Sequence, residues 1–406
     1  MKNIVIWGTG KEGLAAGAFV AAHMAPVHVV YVDETPSDDA SVVTAPDAIE
    51  KAVLGASMVV KSPGVSLYHP LLMRARAQGM TITSLLNLWF AHKPAGKIIC
   101  VTGTKGKSTT SALLGHVLAA MGHKVAVLAN IGVPVTEAPT GMDYLVLELS
   151  SYQAADFEGA ADIAAVTSLY PEHLNWHGTL EQYYHDKLRI LTHAHTKIIH
   201  PQVRAAWPDV PADCHVCLPV AAEDVPNDYL RRAHNLANVG IVVAIVEALG
   251  LDMRKALAAM HDFNGLPHRQ QALGAIGNIE YVDDSIATTP QAAMAAMDVY
   301  AGKAVTLIAG GYDRGIDYRP LVDYILAHNI NAVVGLGPSG ARILAGLEAA
   351  GYARASAAYT MDEAVVAARK ATPAGGVILL SPAAPSFGLF KNYIERGQAF
   401  AKAAGF

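Results

Sequence analysis

Short apolar, β-branched runs alternate with longer alanine- and leucine-rich stretches along the whole chain. The short runs suit buried strands and the longer stretches suit helices, so the alternation predicts α/β layers on mostly parallel sheets. Three units follow. The first, 1–93, has strands at 4–7, 27–32 and 58–61 and a helix at 13–24; "AHKPAGK" then punctuates the chain as a linker. The second, 94–265, has strands at 97–101, 125–128, 144–147, 164–168 and 197–200, and "FNGLPHR" reads as the next hinge. The third, 266–406, has strands at 280–282, 304–309, 332–335 and 376–380, and no phosphate loop of its own.

Composition narrows the class. With 406 residues, 52% hydrophobic and 16% charged, disorder is excluded and two or three cores are expected. A net charge of −5 without a block of like charges gives no footprint for nucleic acid or anionic lipid. Any anionic nucleotide must therefore be held by local loops. Three cysteines make no disulfide framework, and Cys214-x-x-Cys217 has no second pair to complete a zinc site, so both are read as reduced thiols. The 17 histidines include no H-E-x-x-H. The chain opens on a strand pattern rather than a signal peptide, and no run reaches the ~18 apolar residues of a membrane span. A soluble cytoplasmic protein is expected.

Two stretches look built for phosphate. In "CVTGTKGKSTTSALLGHVLAAMG" an apolar run meets Gly103-Thr104-Lys105-Gly106-Lys107-Ser108 and then a helical stretch. Backbone amides and the helix dipole stabilise polyphosphate there, Lys107 reaches the terminal phosphates, and Ser108 or Thr109 can hold Mg²⁺. The spacing is a shorter variant of the usual loop, with Val101 at the first glycine's place. Earlier, Gly8-x-Gly10-x-x-Gly13, with Asp33 closing the next strand, is a dinucleotide fingerprint on its face. A second phosphate-loop unit follows too soon for a dehydrogenase. The first loop therefore reads as a site for another nucleotide or diphosphate, the alternative being a purely structural tight turn. After the second loop, Glu148 ends an apolar run where a carboxylate can hold Mg²⁺. His173 follows another strand, and Lys187 sits on a helix; each alone could be a loop histidine or a solvated lysine.

Taken together, "TGTKGKST", "NIG", "LELSSYQ", "PEHLNWHG", "DKLRI", "HNLAN", "LPHR" and "DDS" resemble the Mur ligase family across nearly the whole chain. The resemblance implies a Rossmann-like N-terminal domain, a central ATPase domain with a parallel sheet, and a C-terminal Rossmann-like domain. The first loop would hold a UDP-sugar precursor and the second ATP. Gly10, Lys11, Glu12, Asp33, Glu34, Ser62, Pro63 and Gly64 would line the UDP-substrate site, joined by Asn130, Ser150 and Gln153. Gly103 to Thr109, Asn130, Asn235, Asn238, Arg269 and Asp284 would contact ATP. Ser108, Glu148 and His173 would ligate magnesium. The family's lysine at the position of Lys187 is often carbamoylated, and the carbamate helps bind a second Mg²⁺. Thr288, Arg314, Ser386, Phe387 and Tyr393 would meet glutamate.

The implied reaction is amide formation through an acyl phosphate, with Lys107, Glu148, His173 and Lys187 catalytic. The partners would be small molecules: ATP, glutamate and UDP-N-acetylmuramoyl-L-alanine. A monomer in the bacterial cytoplasm is expected, with movement of the third domain completing the site. Members that add D-glutamate carry "DSKATN"; here the stretch is "DDSIATTPQAA", with Ile286 at the lysine position. "GGYDRGIDY" places Arg314 where a lysine is usual, and "SPAAPSFG" brings Pro385 and Phe387 into the amino-acid loop. A guanidinium does not replace an ammonium conservatively. These stretches favour the subgroup that adds L-glutamate. The D-glutamate ligase remains the alternative, followed by a folate-polyglutamate synthase, a non-catalytic nucleotide-binding paralogue and a dehydrogenase.

Overall fold

The computed structural model describes residues 2–37, 39–129, 133–263 and 265–406, apart from the side chains of residues 233 and 234. It divides into two compact units, Met1–Phe263 and Asn264–Phe406. The first unit carries two parallel sheets. One has five strands in the order Val42–Val43, Val27–Val32, Lys2–Trp7, Met58–Lys61, Thr81–Thr83. The other has six, in the order His215–Val216, Thr196–Ile199, Ile163–Val166, Lys97–Thr102, Tyr144–Glu148, Val125–Ala129.

The central strands are apolar along most of their length because both faces are covered by helices. Tyr144–Glu148 is buried at every position, including the terminal carboxylate. One core joins the two sheets: Ile4, Ile6, Leu85 and Trp89 pack in the same cluster as Ile98, Leu145, Leu147 and Phe157. Asn87 fastens them further, donating to Asp156 O (2.7 Å) and accepting from Glu158 N (3.0 Å).

The second unit has six strands in the order Gln271–Ile276, Ile279–Asp283, Val377–Leu380, Val305–Gly310, Ala332–Leu336, Ala355–Ala358. The first pair is antiparallel and the rest are parallel. The hairpin turns on Gly277 and Asn278, both with positive φ (60° and 62°), the signature of a type I′ turn.

Two expected elements shift for chemical reasons. The strand expected at 164–168 ends at Val166, because Thr167 and Ser168 turn away to hydrogen-bond the phosphate loop. The helix expected at 13–24 runs Lys11–His23, so its first turn lies directly against the first glycine-rich turn.

In open parallel sheets ligands lie beyond the carboxyl ends of the strands, where the strand order reverses. In the first sheet the chain runs outward in both directions from Lys2–Trp7 and Met58–Lys61, which lead into the Gly8 and Ser62 turns. In the second sheet Lys97–Thr102 leads into the phosphate loop, with Tyr144–Glu148 and Ile163–Val166 on either side.

Candidate active site

The phosphate loop is braced from beneath. Thr104 N donates to Ser168 O (2.8 Å) and Lys105 N to Ser168 Oγ (2.9 Å), while Thr167 Oγ1 donates to Thr102 O (3.2 Å). Gly106 has φ +87°, and a Cβ there would lie 2.3 Å from Asn238 Oδ1, so the loop needs glycine at this position. Helix Lys107–Ala120 starts immediately after it, aiming its first free amides at the loop. Thr109 is buried on that first turn. Thr110 Oγ1 donates to Asn238 Oδ1 (3.2 Å), and Asn235 Nδ2 donates to Tyr229 O (2.9 Å). Asn235 and Asn238 thus lie buried behind the loop.

Lys107 Nζ donates to Gly103 O (2.9 Å) and Thr104 O (3.2 Å). Lys187, 1% exposed on helix Leu180–Leu188, donates to the same Gly103 O (2.9 Å). Two ammonium groups on one carbonyl repel each other. Burial first, and then the charge of Lys107, holds Lys187 well below the usual lysine range. Ser108 Oγ donates to Glu148 Oε1 (2.9 Å). A hydroxyl and a carboxylate in contact at a phosphate loop are the hard oxygen donors Mg²⁺ takes alongside phosphate and water, so these residues fit that ion. Among the described residues, no group of three or more His, Cys, Asp or Glu could hold a metal.

His173 has φ +55° and its Nδ1 lies 3.0 Å from Tyr152 Oη. Burial lowers its pKa against the nearby Glu172 carboxylate. Glu172 in turn pairs with Lys105 (2.7 Å).

Nothing in the sequence pattern announces the chain of hydrogen bonds behind these groups. His177 Nδ1 lies 2.6 Å from Asp186 Oδ2 and its Nε2 lies 3.0 Å from Ser151 Oγ. Asp186 also accepts from Tyr68 Oη (2.6 Å) and Gln182 Nε2 (2.7 Å). The order Ser–His–Asp is that of a hydrolase triad, but all three side chains are buried. It therefore fixes four segments: helix Ser151–Ala154 after Glu148, helix Leu174–His177, the helix bearing Lys187, and the Tyr68 turn.

A cleft of about 610 Å³ opens at the first glycine-rich turn. It gathers Gly10, Lys11, Glu12, Asp33, Glu34, Ser62, Pro63 and Gly64, together with Trp7 and His69, which sequence reasoning missed. A Cβ on Gly13 would lie 1.9 Å from Gly8 O, so helix Lys11–His23 packs onto the turn only with glycine there. Asp33 accepts from Thr9 N (2.8 Å), Thr9 Oγ1 (2.8 Å) and Thr35 N (2.9 Å). Partial burial raises its pKa, but those hydrogen bonds outweigh it and leave it low. Burial raises the pKa of Glu12, against the hydrogen bond from Gln153 Nε2 (3.3 Å). Ser150 and Gln153 form a capping box on helix Ser151–Ala154. Lys61, buried at a strand end, pairs with the buried Asp156 at 3.5 Å, another contact invisible in the local sequence. Asn130 lies outside the described residues.

In the second unit Arg314 is exposed and its Nη2 donates to Thr288 O (3.4 Å). Ser386 is buried and Phe387 is 60% exposed on the loop after Val377–Leu380. Tyr393 opens helix Tyr393–Ala404. A second guanidinium, missed in the sequence, stands by the Arg314 loop: Arg342 pairs with Asp313 (2.6 Å) and donates to Ile316 O (3.0 Å). Cys214 and Cys217 are buried and unbridged; burial pushes the Cys217 thiol up to about 11, so it is unreactive.

Asp284 accepts from Ser381 Oγ (2.7 Å) and Gln270 N (3.1 Å), and Arg269 lies near enough to stabilise its charge. Burial nevertheless pushes its carboxyl up to about 6. Unfolded aspartate titrates near ~3.9. Between these values the native state holds more protons than the unfolded one, so stability falls as pH rises, and the penalty is complete above about pH 6. Asp284→Asn is expected to flatten that slope and stabilise the second unit at pH 7.5 by ~1–2 kcal/mol. Thermal melts at pH 4.5 and 7.5 read this out; a variant with the wild-type pH slope would show that the penalty lies elsewhere.

Three family descriptions match the chain: the Mur ligase MurD-like N-terminal domain over residues 2–84, the Mur ligase middle domain over 101–203, and the Mur ligase glutamate ligase domain over 268–384. A UDP-N-acetylmuramoyl-L-alanine–L-glutamate ligase of Salinispora tropica is 40% identical over 99% of this chain and 97% of its own. A protein of the same name from Xanthomonas axonopodis is 39% identical over 100% of this chain and 95% of its own. The fold is shared with UDP-N-acetylmuramate-alanine ligase MurC of Thermotoga maritima (TM-score 0.59, 19% identity, 100% and 99% of the two chains). It is also shared with MurF of Acinetobacter baumannii (TM-score 0.57, 17% identity, 99% and 90%). With relatives at this identity matched end to end, the chain belongs to the Mur ligase family.

Proposed function

We propose that the protein joins L-glutamate to UDP-N-acetylmuramoyl-L-alanine with ATP, giving ADP and phosphate, in peptidoglycan precursor synthesis. The observation that carries the reading is a pair of separate anion cradles in one unit: the cleft at Gly10 and Asp33, and the braced loop at Gly103–Ser108. The full-length relatives named for L-glutamate addition supply the isomer.

The cleft at Gly10, Lys11, Glu12, Asp33, Glu34 and Ser62–Gly64 receives the uridine-diphosphate carrier. Gln153 bridges that cleft to the strand end bearing Glu148 through its hydrogen bond to Glu12. The loop amides and Lys107 hold the ATP phosphates and neutralise charge as the acceptor's carboxylate attacks the γ-phosphate. The glutamate amine then displaces phosphate from the acyl phosphate through a tetrahedral intermediate. Ser108 and Glu148, with His173, would hold Mg²⁺, which supplies charge neutralisation between the phosphates.

Two observations favour carbamoylation of Lys187: its amine is buried, and it shares the Gly103 carbonyl with Lys107. In the neutral form its nitrogen adds to CO₂ with release of one proton, giving an anionic carbamate that would serve as a ligand for a second Mg²⁺. Asn235, Asn238, Arg269 and Asp284 are assigned to ATP, and Thr288, Arg314, Ser386, Phe387 and Tyr393 to the amino acid. Segments 1–93, 94–265 and 266–406 are taken as the three functional domains, and the enzyme as a cytoplasmic monomer.

Phosphate release with UDP-N-acetylmuramoyl-L-alanine, MgATP and each glutamate enantiomer tests the reading. L-Glutamate is expected to exceed D-glutamate by ~10²-fold in kcat/KM. A D-only signal would reassign the isomer, and no release with either would remove the ligase reading.

A further inference from the structure

Helix Tyr393–Ala404 carries, one turn from its start, a guanidinium with no access to solvent: Arg396 is 0% exposed. Its Nε donates to Ser285 Oγ (3.0 Å) and its Nη2 to Ser285 O (2.7 Å). Its Nη1 reaches Ala384 O (2.9 Å) and Gly310 O (3.4 Å). Ser285 Oγ closes the circuit by donating to Tyr393 O (2.8 Å). The four acceptors lie at the carboxyl ends of three strands: Ser285 and Ala384 on the loops after Ile279–Asp283 and Val377–Leu380, and Gly310 as the last residue of Val305–Gly310. Val377–Leu380, the last strand in the sequence, is inserted between Ile279–Asp283 and Val305–Gly310, so their carboxyl ends lie side by side at the edge of a parallel sheet where ligands bind.

Sheltering a cation among neutral oxygens is costly, and an apolar side chain of similar volume would often stabilise the fold as well or better. Nearby Asp283 is the main charge that offsets the burial, and it pairs with His268 (2.6 Å). The arrangement therefore makes sense through geometry more than through stability. One planar fork with five donors holds three loop ends in register. Further main-chain bonds tie two of them together: Gly310 N to Pro382 O (2.7 Å) and Tyr312 N to Pro385 O (2.8 Å). Those loops carry Thr288, Arg314, Ser386 and Phe387, and the helix itself starts with Tyr393.

We propose that Arg396 is the positioning residue of the amino-acid subsite: it touches no substrate, but it sets the spacing of the groups that grip an amino acid with two carboxylates. This rests on the ligase reading above. A dicarboxylate held at fixed points is sensitive to displacements of an ångström, so loosening the loops weakens the amino acid selectively.

Arg396→Lys keeps the charge and removes the fork; Ser285→Ala removes one of its acceptors with little risk to folding. Both are expected to raise KM for L-glutamate, by roughly tenfold for Arg396→Lys and less for Ser285→Ala. KM for ATP and for the UDP-linked acceptor should stay within about twofold, and L-over-D discrimination should fall. Variants that fold but keep the wild-type glutamate KM overturn the proposal, as does a parallel rise in all three KM values, which would mark a general scaffold role. Wild-type enzyme that releases no phosphate with L-glutamate would instead sink the ligase reading.

Discussion

Lys107→Ala is expected to lower turnover by ~10³-fold or more while the UDP-linked acceptor still binds with an affinity within about twofold of wild type. Phosphoryl transfer leaves the protein little covalent chemistry, so positioned positive charge is most of what this side chain can contribute. Its ammonium is held above the loop by the carbonyls of Gly103 and Thr104 and needs little reorganisation to meet a phosphate. The cleft proposed for the acceptor is lined by residues of the first sheet's strand ends and loops, with none from the phosphate loop, so acceptor affinity should be insulated. Calorimetry with the acceptor and phosphate release with all three substrates separate the two effects. Unchanged turnover would refute the role given to Lys107, and lost acceptor binding would show that the two cradles are not independent.

The parts legible in the sequence are those written in consecutive residues. The phosphate loop shows because an apolar strand, a glycine turn, a lysine and a helix follow one another without interruption, and Gly106 is demanded locally by its positive φ. Strands Val27–Val32 and Met58–Lys61 lie where their apolar runs predict them. The edge strands Val42–Val43, Thr81–Thr83, His215–Val216 and Ala355–Ala358 are too short or too weakly apolar to carry a period. Thr167 and Ser168 read as the end of a strand, because their β-branched or small polar character fits one; only the approach of Lys105 turns their hydroxyls toward the loop.

Long-range polar chemistry was harder still. Tyr68, Ser151, His177 and Asp186 meet only when the first sheet's turn, the segment after Glu148, helix Leu174–His177 and the Lys187 helix have packed. No spacing rule joins residues from such separate segments. Lys61 with Asp156, and Arg396 with Ser285, belong to the same class: a charged residue inside an apolar pattern signals that something must satisfy it, but not what. Arg342 escaped notice for a different reason. On helix Gly337–Ala349 it reads as an ordinary solvated arginine until the Asp313 loop is laid beside it.

Lys187→Met separates chemistry from stability most sharply. The native side chain is a buried amine that donates to a carbonyl also used by Lys107, so in the apo fold it adds electrostatic tension near the phosphate loop. Methionine matches its volume and removes both the hydrogen bond and the repulsion. Losing the bond costs about 1 kcal/mol, while removing a buried amine whose protonation burial and Lys107 oppose, and filling its place with an apolar chain of similar volume, offsets that loss. The melting temperature is therefore expected to hold or rise. Turnover is expected to fall by ~10²–10³-fold, because a methionine can carry neither a proton-exchanging amine nor a carbamate next to the phosphates. Lys187→Arg should be as inactive but less stable, since a permanently charged group is then forced beside Lys107. Mass spectrometry of the folded wild type should show the added CO₂, lost on acidification and missing in both variants. A methionine variant that is stable and fully active would mean that Lys187 is merely packed there, and the second metal position assigned to its carbamate would go with it.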